Sequence, residues 1–583
     1  LQKYIFENLG DASGFTLADV LVTVPTDISH GDYMTSAPLA LAKKIGQNPK
    51  EFAEVLVNRL SEKNYKEIKK IDIAGPGFIN ITLTKEAVRS EIESSKKLQT
   101  KYSDKKVLVE HSSPNLFKPF HIGHLMNNVI GEAVTRIMRE GGGEVVEMSF
   151  PSDVSIGIAK ALYILSRNTQ LKGELVSIKQ GNSFDNLSDK EIKDLVIEFG
   201  NAYTEAALFF SAQRDREIID VKSILRQISY LEPRDIIIDD LYQAVKEINI
   251  RYFSKVLKDN LGSDLNIKVF ESEAGSVGLL IIDENLEKVF FKSQGAIIYT
   301  PNDSRKDINT TVFVNSEGLP TYAGKDLGLM SIKFSGMALK LNIEEYSPDV
   351  SIYITDNEQI PHFRTVFAAA EEIDQIWADR ISKSLHVPHG RMTFKGQKMS
   401  SRLGGVPLAE DTIDAVLEEV RARSGEHIAH LPEEEQNQLQ RDIALSALRI
   451  AILRAKPGSN INFDPETSLS FEGDSGPYLL YTHARCASLL DKAGVTPKLD
   501  LSQDVTGVER KLVHYKEVLE IVVNDIAPQR LVTYLFELAQ EFNSFYNDTT
   551  ILVVGDEVGT AHRLYIVSEV KKVLKEALHT LGI

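Results

Sequence analysis

Two histidines three residues apart are the first feature of this sequence that could do chemistry. They are His121 and His124, and they end the segment EHSSPNLFKPFHIGH, residues 110–124. An apolar strand precedes the segment and a helical pattern follows it, so both rings would share one face of the first helical turn. A helix N-terminus attracts anions, Lys118 adds a cation, and Gly123 lets a ligand approach the backbone closely. The functional interpretation is a triphosphate site. The alternatives are two surface histidines on an ordinary helix or a metal site, although no zinc-protease spacing accompanies them.

A second candidate for phosphate chemistry is a lysine in a glycine-flanked loop. Residues 396–405 read GQKMSSRLGG and contain Lys398, Ser400 and Ser401. The ammonium would meet the charge of a polyphosphate, the hydroxyls would donate hydrogen bonds, and the glycines would let the loop move. The alternative is a solvated basic turn, and these residues alone do not decide between the two.

A tyrosine and an aspartate, Tyr322 and Asp326, stand four apart at the predicted start of another helix. Residues with this spacing face the same way. Together with Glu110 they would offer two carboxylates and a flat ring, which suits a planar guanidinium. The spacing by itself favours the simpler alternative, an aromatic–acid pair on a helix surface.

A polar loop, DNEQIPHFR at 356–364, directly follows the strand-like run SIYIT. The carboxyl end of a parallel strand is where α/β proteins bind ligands. Gln359 and His362 are the candidates in this loop, and helix capping or packing is the alternative for the histidine.

Alternating strands and helices must position these residues. Strand-like runs at 107–109, 311–314 and 351–355 are each followed by a helical pattern, which is typical of a parallel α/β sheet. Residues 1–100 mix helix and strand, and a stretch at about 160–300 interrupts the sheet region 101–405. From about 406 to 583 the pattern is helical, with Asp411 and Thr412 as predicted caps of the first helix. We therefore predict an α/β sheet domain with an N-terminal α+β domain and a C-terminal all-α helical bundle.

Composition bounds the setting of the chain. Its 66 basic and 83 acidic residues give a net charge of −17, which counts mildly against a nucleic-acid partner. The objection is weak, because at a Debye length of about 8 Å a ligand feels only the local patch. The only cysteine, Cys486, excludes an internal disulfide and a thiolate-rich zinc site and fits a reducing compartment. No run approaches the roughly 18 apolar residues of a membrane span, and the first residues lack a secretory signal. We expect a cytoplasmic protein with no membrane partner.

The whole segment 110–124 resembles the HIGH motif of class I aminoacyl-tRNA synthetases, in the form that the arginyl-tRNA synthetases carry, where Ser-Pro-Asn and Lys-Pro precede it. GQKMSSRLGG resembles the KMSKS motif of the same enzymes, with Ser401-Arg402 where Lys-Ser would be expected, so Arg402 has no assigned role. HGDYMTSAPLALAKKIGQNP (30–49) and AGPGFIN (74–80) resemble the N-terminal add-on domain of the family, which contacts the tRNA. DIALSALR (442–449), GPYLLYTHAR (476–485) and FNSFY (542–546) resemble its anticodon-binding bundle.

The resemblance implies a Rossmann-type catalytic domain and a role for each candidate residue. His121, His124 and Lys398 would be catalytic, and ATP would also contact Lys118, Gly123, His362, Ser400 and Ser401. Arginine would bind to Glu110, Asn115, Tyr322, Asp326 and Gln359. The tRNA would contact Tyr478, Tyr481, His483 and Arg485, which can stack on or bind unpaired bases.

The implied activity is the ATP-dependent formation of arginyl-adenylate and the transfer of arginine to the terminal ribose of its tRNA. Partners would be arginine, tRNA(Arg) and ATP with Mg²⁺, and we expect a monomer without a structural metal. The alternatives are another class I synthetase or nucleotidyltransferase, and a catalytically silent synthetase-like protein that binds tRNA.

Overall fold

The protein is described from a computed structural model. It describes residues 1–9, 15–25, 30–94, 98–211, 215–263, 265, 267–302, 305, 308–394, 408–470 and 473–583. Two compact units form. One contains residues 1–98, 478–521 and 530–578, and the other contains residues 99–477, 522–529 and 579–583.

Short strands and helices alternate at the start of the chain. The elements are α1 (Gln2–Glu7), β1 (Val22–Thr23), β2 (Tyr33–Thr35), α2 (Ala37–Ile45), α3 (Pro49–Glu62), β3 (Ile68–Ala74), β4 (Phe78–Leu83), α4 (Lys85–Ile92), β5 (Lys106–Glu110), α5 (Ile122–Glu140) and β6 (Glu144–Ser149). The strands β1-β2-β4-β3 form an antiparallel sheet in that order, and α2 and α3 cover it with buried apolar side chains.

Helices dominate the middle of the chain. The elements are α6 (Ile156–Arg167), α7 (Thr169–Gln180), α8 (Asp189–Phe210), α9 (Asp215–Ile228), α10 (Ile236–Leu261), β7 (Ile267–Lys268), α11 (Glu271–Glu284), β8 (Phe290–Ser293), β9 (Ala296–Tyr299), β10 (Thr311–Val314), α12 (Tyr322–Ser331), α13 (Met337–Leu341) and β11 (Val350–Asp356). A π-helical turn, Ile332–Gly336, joins α12 to α13.

The remaining elements are mostly helical. They are α14 (Ile360–Glu371), α15 (Gln375–Ser382), β12 (Ser384–His389), β13 (Met392–Phe394), α16 (Ala409–Ile428), α17 (Glu433–Leu453), β14 (Ile461–Phe463), α18 (Pro465–Ser468), α19 (Gly476–Lys492), α20 (Gly507–Leu512), α21 (Tyr515–Asp525), α22 (Pro528–Asp548) and α23 (Glu557–Thr580). Three-residue 3₁₀ turns lie at Leu17–Asp19, Phe184–Asn186 and Asn357–Gln359.

The larger unit is built around a five-stranded parallel sheet in the order β12-β11-β5-β6-β7. Its central strands β5 and β11 are mostly apolar and buried, as expected where helices cover a parallel sheet. The helices α6–α10 lie between β6 and β7 in the chain, within the stretch predicted as an insertion. The predicted fold class, a parallel α/β sheet with an N-terminal α+β region and a helical C-terminal region, is confirmed.

Two local predictions differ from the structure. The strand predicted at 311–314 is β10, but it pairs antiparallel with β9 in a separate sheet with β8. The helix predicted to be capped by Asp411 and Thr412 begins earlier, at Ala409 with Leu408 as its N-cap. The Thr412 hydroxyl donates instead to the Leu408 carbonyl within the first turn.

A buried ion pair stabilises the smaller unit. The Arg89 guanidinium on α4 donates to the Glu509 carboxylate on α20 at 2.8 Å, and both side chains are almost fully buried. Arg89 also donates to the backbone carbonyls of Asp500 and Gln503, which lie in the segment before α20. Among the described helices, none is both long and apolar enough to cross a bilayer.

Candidate functional site

The parallel sheet has a topological switch between β5 and β11. After β5 the chain moves through α5 to β6 on one side, and after β11 it moves through α14 to β12 on the other. The loops at the carboxyl ends of the two strands therefore separate, and a crevice of this kind is where open α/β sheets bind ligands. The predicted residues after β5 and β11 belong to these two loops.

The two histidines cap the start of α5 with their own rings. His121 is the N-cap residue, and its Nδ1 accepts the N–H of Gly123 at 3.1 Å. Nδ1 of His124 accepts the N–H of His121 at 3.2 Å. The rings stack with centroids 3.7 Å apart and planes 15° from parallel. A Cβ on Gly123 would lie 3.0 Å from Cε1 of His121, so any larger residue here would press against the stacked ring.

Both rings are neutral donors at physiological pH. Burial, followed by the nearby Lys118 ammonium, lowers the pKa of His121 to about 4. Burial lowers the pKa of His124 well below its usual value, and His121 and Lys118 add to the effect. Because each Nδ1 accepts a backbone N–H, each proton lies on Nε2. The two histidines therefore offer two neutral N–H donors. The nearby Lys118 ammonium lies 4.6 Å from the ring centroid of Tyr203.

The loop before the histidines has a constrained backbone. Ser112 and Phe117 adopt φ values of 55° and 65°, which non-glycine residues rarely do. The Asn127 carboxamide fixes this loop, because its Oδ1 accepts the Ser112 N–H at 2.5 Å and its Nδ2 donates to the Ile354 carbonyl of β11 at 2.7 Å. Asn127 thus connects the strained loop that follows β5 to the neighbouring strand β11.

The predicted lysine loop lies outside the described residues, and so do Lys398, Ser400, Ser401 and Arg402. The first residue described after it, Leu408, forms an isolated antiparallel bridge with His121. The N–H of Ala409 donates to the Phe120 carbonyl at 2.9 Å. The segment that follows the loop is therefore anchored beside the first histidine.

The predicted carboxylates lie near each other, and each has a partner within the protein. Glu110 ends β5, and its Oε2 accepts the ammonium of Lys333 at 2.5 Å. Asp326 lies on α12, and its Oδ2 accepts Nε2–H of His362 at 2.5 Å. Burial raises the pKa of Glu110, Lys333 opposes that rise, and the charge of Asp326 adds to it. His362 was predicted beside the nucleotide, whereas here it contacts a predicted arginine ligand.

The other predicted arginine ligands are accessible. Tyr322 begins α12 as predicted, is 64% exposed, and lines a cavity of about 330 Å³ together with Ser155, Glu271 and Lys325. Asn115 is exposed in the loop after β5, where it bridges to Ser152. The predicted ligand Gln359 is exposed at the start of α14.

All four predicted tRNA residues lie on α19 of the smaller unit, and three of them, Tyr478, Tyr481 and Arg485, form an aromatic cluster with side chains of α22. The Arg485 guanidinium lies 4.8 Å from the Tyr481 ring and 4.7 Å from the Tyr546 ring, and it donates to the Asn543 carboxamide. Asn543 in turn donates to the Tyr478 hydroxyl at 3.0 Å. His483 contributes a buried Nε2 that has no hydrogen-bond partner among the described residues.

Sequence reasoning missed Lys333, Lys325 and Glu271. Lys325 and Glu271 form a buried ion pair with 2.5 Å between Nζ and Oε2. Their pairing joins helices that no local pattern brings together. Lys333 follows Asp326 by seven residues, two helical turns, and this spacing is the one signal that pointed to it.

Among the residues that the structure describes, one group of side chains has ligand atoms close enough to hold a metal ion. It consists of His111, Glu132 and Glu147, whose candidate atoms lie within 4.8 Å of one another. Each carboxylate already pairs with an arginine, Glu132 with Arg136 at 2.8 Å and Glu147 with Arg139 at 2.5 Å. These cations supply the positive charge that a metal would bring.

Known protein families match almost the whole chain. Residues 87–464 match the catalytic domain of class I (R) tRNA synthetases, residues 1–83 match the arginyl-tRNA synthetase N-terminal domain, and residues 479–583 match the DALR anticodon binding domain.

Curated relatives and a solved structure agree with these matches. The arginine–tRNA ligase of Phocaeicola vulgatus is 27% identical over 94% of this chain and 90% of its own. That of Clostridium perfringens is 27% identical over 100% of this chain and 98% of its own. The fold is that of the Thermus thermophilus arginyl-tRNA synthetase, with a TM-score of 0.80 at 23% identity over 100% of this chain and 98% of that one. The chain therefore belongs to the arginyl-tRNA synthetases, a family of class I aminoacyl-tRNA ligases.

Proposed function

We propose that the crevice between β5 and β11 activates arginine with ATP and then charges the terminal ribose of tRNA(Arg). A carboxylate oxygen of arginine attacks the α-phosphorus, the bond to pyrophosphate breaks, and arginyl-adenylate forms. A ribose hydroxyl, the 2′-hydroxyl in class I enzymes, then takes the arginyl group and AMP leaves. The observation that carries the proposal is that the switch point has two kinds of group: two neutral imidazole donors at the start of α5, and two neighbouring carboxylates.

The histidine end would bind the nucleotide. Neutral Nε2–H groups can donate hydrogen bonds to the phosphate oxygens as negative charge develops there, and no proton has to leave the ring. Fixed donors of this kind lower the barrier. Lys118 would add a positive charge, and Gly123 would leave room for the nucleotide. We further propose that Lys398, Ser400 and Ser401 contact the phosphates, which Mg²⁺ accompanies as part of the substrate. The anchoring of Leu408 at His121 supports this arrangement.

The carboxylate end would bind arginine. Glu110 and Asp326 present charge to the planar guanidinium, which has more donors than a lysine ammonium and can bridge two carboxylates. Tyr322 would lie against the guanidinium, and Asn115 and Gln359 would hold the α-amino and carboxylate groups. His362 would then act by orienting Asp326, to which it donates at 2.5 Å.

The aromatic cluster on α19 and α22 would bind unpaired bases of the anticodon. The Tyr481 ring is 46% exposed, and Arg485 holds it from one side. Exposed aromatic rings backed by a guanidinium are suited to stacking with bases. Tyr478 and the unpartnered Nε2 of His483 would supply hydrogen bonds.

Two assays test the proposal. Charging a total tRNA pool with each of the twenty amino acids should give product with arginine. Arginine-dependent ATP–pyrophosphate exchange should also occur, and we expect it to need tRNA, as it generally does in this family. Binding of tRNA without exchange or charging would indicate a catalytically silent protein instead.

We also infer that the protein acts as a cytoplasmic monomer. The buried Cys486, the single cysteine of the chain, fits a reducing compartment. Light scattering of the purified protein with and without tRNA tests the monomer directly, and a mass of twice 65.0 kDa without tRNA would contradict it.

A further inference from the structure

Lys333 is a buried cation inside the arginine site that none of the proposed roles uses. Its side chain is fully buried, and its Nζ lies 2.5 Å from Oε2 of Glu110 and 3.2 Å from the ring centroid of Tyr353. Tyr353 faces Glu110 across the β5–β11 pair, so the ammonium lies over a ring that one strand provides and against a carboxylate from the other. A charge buried this completely is costly unless it is paired.

The backbone around Lys333 departs from an ordinary helix. The lysine lies in the π-helical turn Ile332–Gly336, which interrupts the helical run between α12 and α13. Such turns are rare and occur frequently at functional sites. The turn directly follows α12, the helix that carries Asp326, so the same run of chain carries one carboxylate of the site and the cation that pairs with the other carboxylate.

Charge balance gives this cation a purpose. Glu110 and Asp326 carry two negative charges, and a bound guanidinium carries a single positive one. Two carboxylates in one low-dielectric site cannot both stay ionised without compensation. Lys333 supplies the second positive charge, and its Nζ donates to Oε2 of Glu110, so Oε1 is the oxygen that we assign to the ligand.

We propose that Lys333 is a positioning residue of the arginine site, which keeps Glu110 ionised and oriented so that Oε1 accepts the substrate guanidinium. The inference rests on the proposed assignment of Glu110 and Asp326 to arginine. Lys333 does not touch the substrate in this proposal, and its effect passes through Glu110.

The groups around Glu110 determine the expected pH dependence. Burial raises the pKa of Glu110, and the Lys333 ammonium opposes that rise. Burial likewise lowers the pKa of Lys333, and Glu110 opposes that change. The titratable groups that face Glu110 or its partners are His111 on the same segment, Tyr353 on β11, Asp326 on α12, Lys333 on the π-helical turn and His362 on α14. Without Lys333, Glu110 would become neutral at a higher pH and would stop accepting from the guanidinium.

The test measures arginine KM and kcat in ATP–pyrophosphate exchange at saturating tRNA between pH 6 and 9. In Lys333→Met we expect KM to rise at least tenfold at pH 7 and to fall again as pH rises, while kcat at saturating arginine changes less than threefold. Lys333→Arg keeps a cation and should restore KM to within threefold of the unmodified enzyme. The control is Lys340→Met on α13, which removes the lysine of an ion pair with Glu273 on α11 and should change neither constant.

A folded Lys333→Met variant with unchanged KM and an unchanged pH profile would overturn the inference. The variant Glu110→Gln separates this failure from failure of the arginine site itself, because an unchanged KM in that variant would contradict the assignment of Glu110. If Lys333→Met does not fold, the double variant Lys333→Met/Glu110→Gln is measured in its place, because it removes both buried charges together. A KM equal to that of Glu110→Gln alone supports action through Glu110, and a further tenfold rise contradicts it.

Discussion

The two ends of the proposed site would stabilise their ligands by opposite means. The histidine end consists of neutral rings, with a pKa of about 4 for His121, and its donors are held by a cap of local hydrogen bonds. The carboxylate end consists of one buried and one partly buried charge, each with a partner from another element, Lys333 for Glu110 and His362 for Asp326. A triphosphate brings its own charge and its own cation, whereas a guanidinium must find its counter-charge in the protein.

This difference predicts different sensitivities. Loss of a neutral donor should affect the transition state and leave the amino acid bound, because the charge that it serves develops during the reaction. Loss of a buried charge should weaken binding of the ground state and leave its former partner unpaired, which usually costs several kcal/mol.

The largest effect is expected for Asp326→Asn, which keeps the shape of the side chain and removes its charge. The guanidinium would lose one of two carboxylates in a desolvated site, at about 2–5 kcal/mol. We expect kcat/KM for arginine to fall by roughly 10³-fold, mainly through KM, in ATP–pyrophosphate exchange with saturating tRNA.

A matched control for this variant is Asp349→Asn. Asp349 lies at the amino end of β11, where its carboxylate accepts the backbone N–H of Lys106. Its arginine KM should stay within twofold of the unmodified enzyme. An Asp326→Asn variant that binds arginine normally would show that the carboxylate end is not the amino-acid site.

The histidine end should respond in kcat. In His124→Ala one of the two Nε2–H donors is lost, and removing a donor of this kind costs about 10²–10³ in rate. Single-turnover adenylate formation should slow by that order while arginine KM changes little. His430→Ala, at an exposed position, is the control and should react at the normal rate. A rise in KM without a change in rate would assign His124 to binding and erase the contrast between the two ends.

A third variant tests the smaller unit, which contains neither the histidine end nor the carboxylate end. Arg485 is held between the rings of Tyr481 and Tyr546, so Arg485→Ala should release both. Because base–aromatic stacking is worth about 1–3 kcal/mol, we expect the tRNA KM in charging to rise tenfold to fiftyfold. Adenylate formation at saturating tRNA should be unchanged, and a loss of adenylate formation there would contradict a role confined to tRNA.

The contrast also explains what could be predicted from sequence. The histidine end is local, since strand, loop, histidines and helix follow one another within 106–140, and the helix began next to His121 as predicted. The order of the parallel strands is non-local, yet the fold class followed from the alternation of strand and helix. Sequence did not predict that β10 joins a separate antiparallel sheet, because a strand-like run of four residues looks alike in either sheet.

The partners of the carboxylates lay beyond sequence reasoning. Lys333 reaches Glu110 across 223 residues of chain, and only the π-helical turn and the packing of the buried ring of Tyr353 bring them together. His362 was identified as a site residue, but its contact with Asp326 depends on how α12 packs beside α14. Local patterns therefore predicted the candidate ligand-binding groups, and tertiary packing determined which charged partners each of them has.

The smallest effect concerns the stability of the histidine cap. The pKa of His121 is about 4 in the folded protein, below the value of about 6.5 that the unfolded chain is expected to have. The unfolded state therefore binds the proton more readily, and stability is lost as pH falls from about 6.5 toward 4. In His121→Asn this loss should disappear, since asparagine caps a helix without titrating.

Urea unfolding at pH 7.5 and pH 5.5 measures the difference. The unmodified protein should lose about 1 kcal/mol more than His121→Asn between the two pH values, because one pKa unit corresponds to about 1.4 kcal/mol and the ring is partly exposed. His124 stays in both proteins, and loss of the His121 ring would relieve part of the depression of the His124 pKa, which changes stability in the same direction. Equal losses in the two proteins would mean that the His121 ring is hydrated enough to titrate normally, and the histidine end would then carry charge near pH 6 as the carboxylate end does.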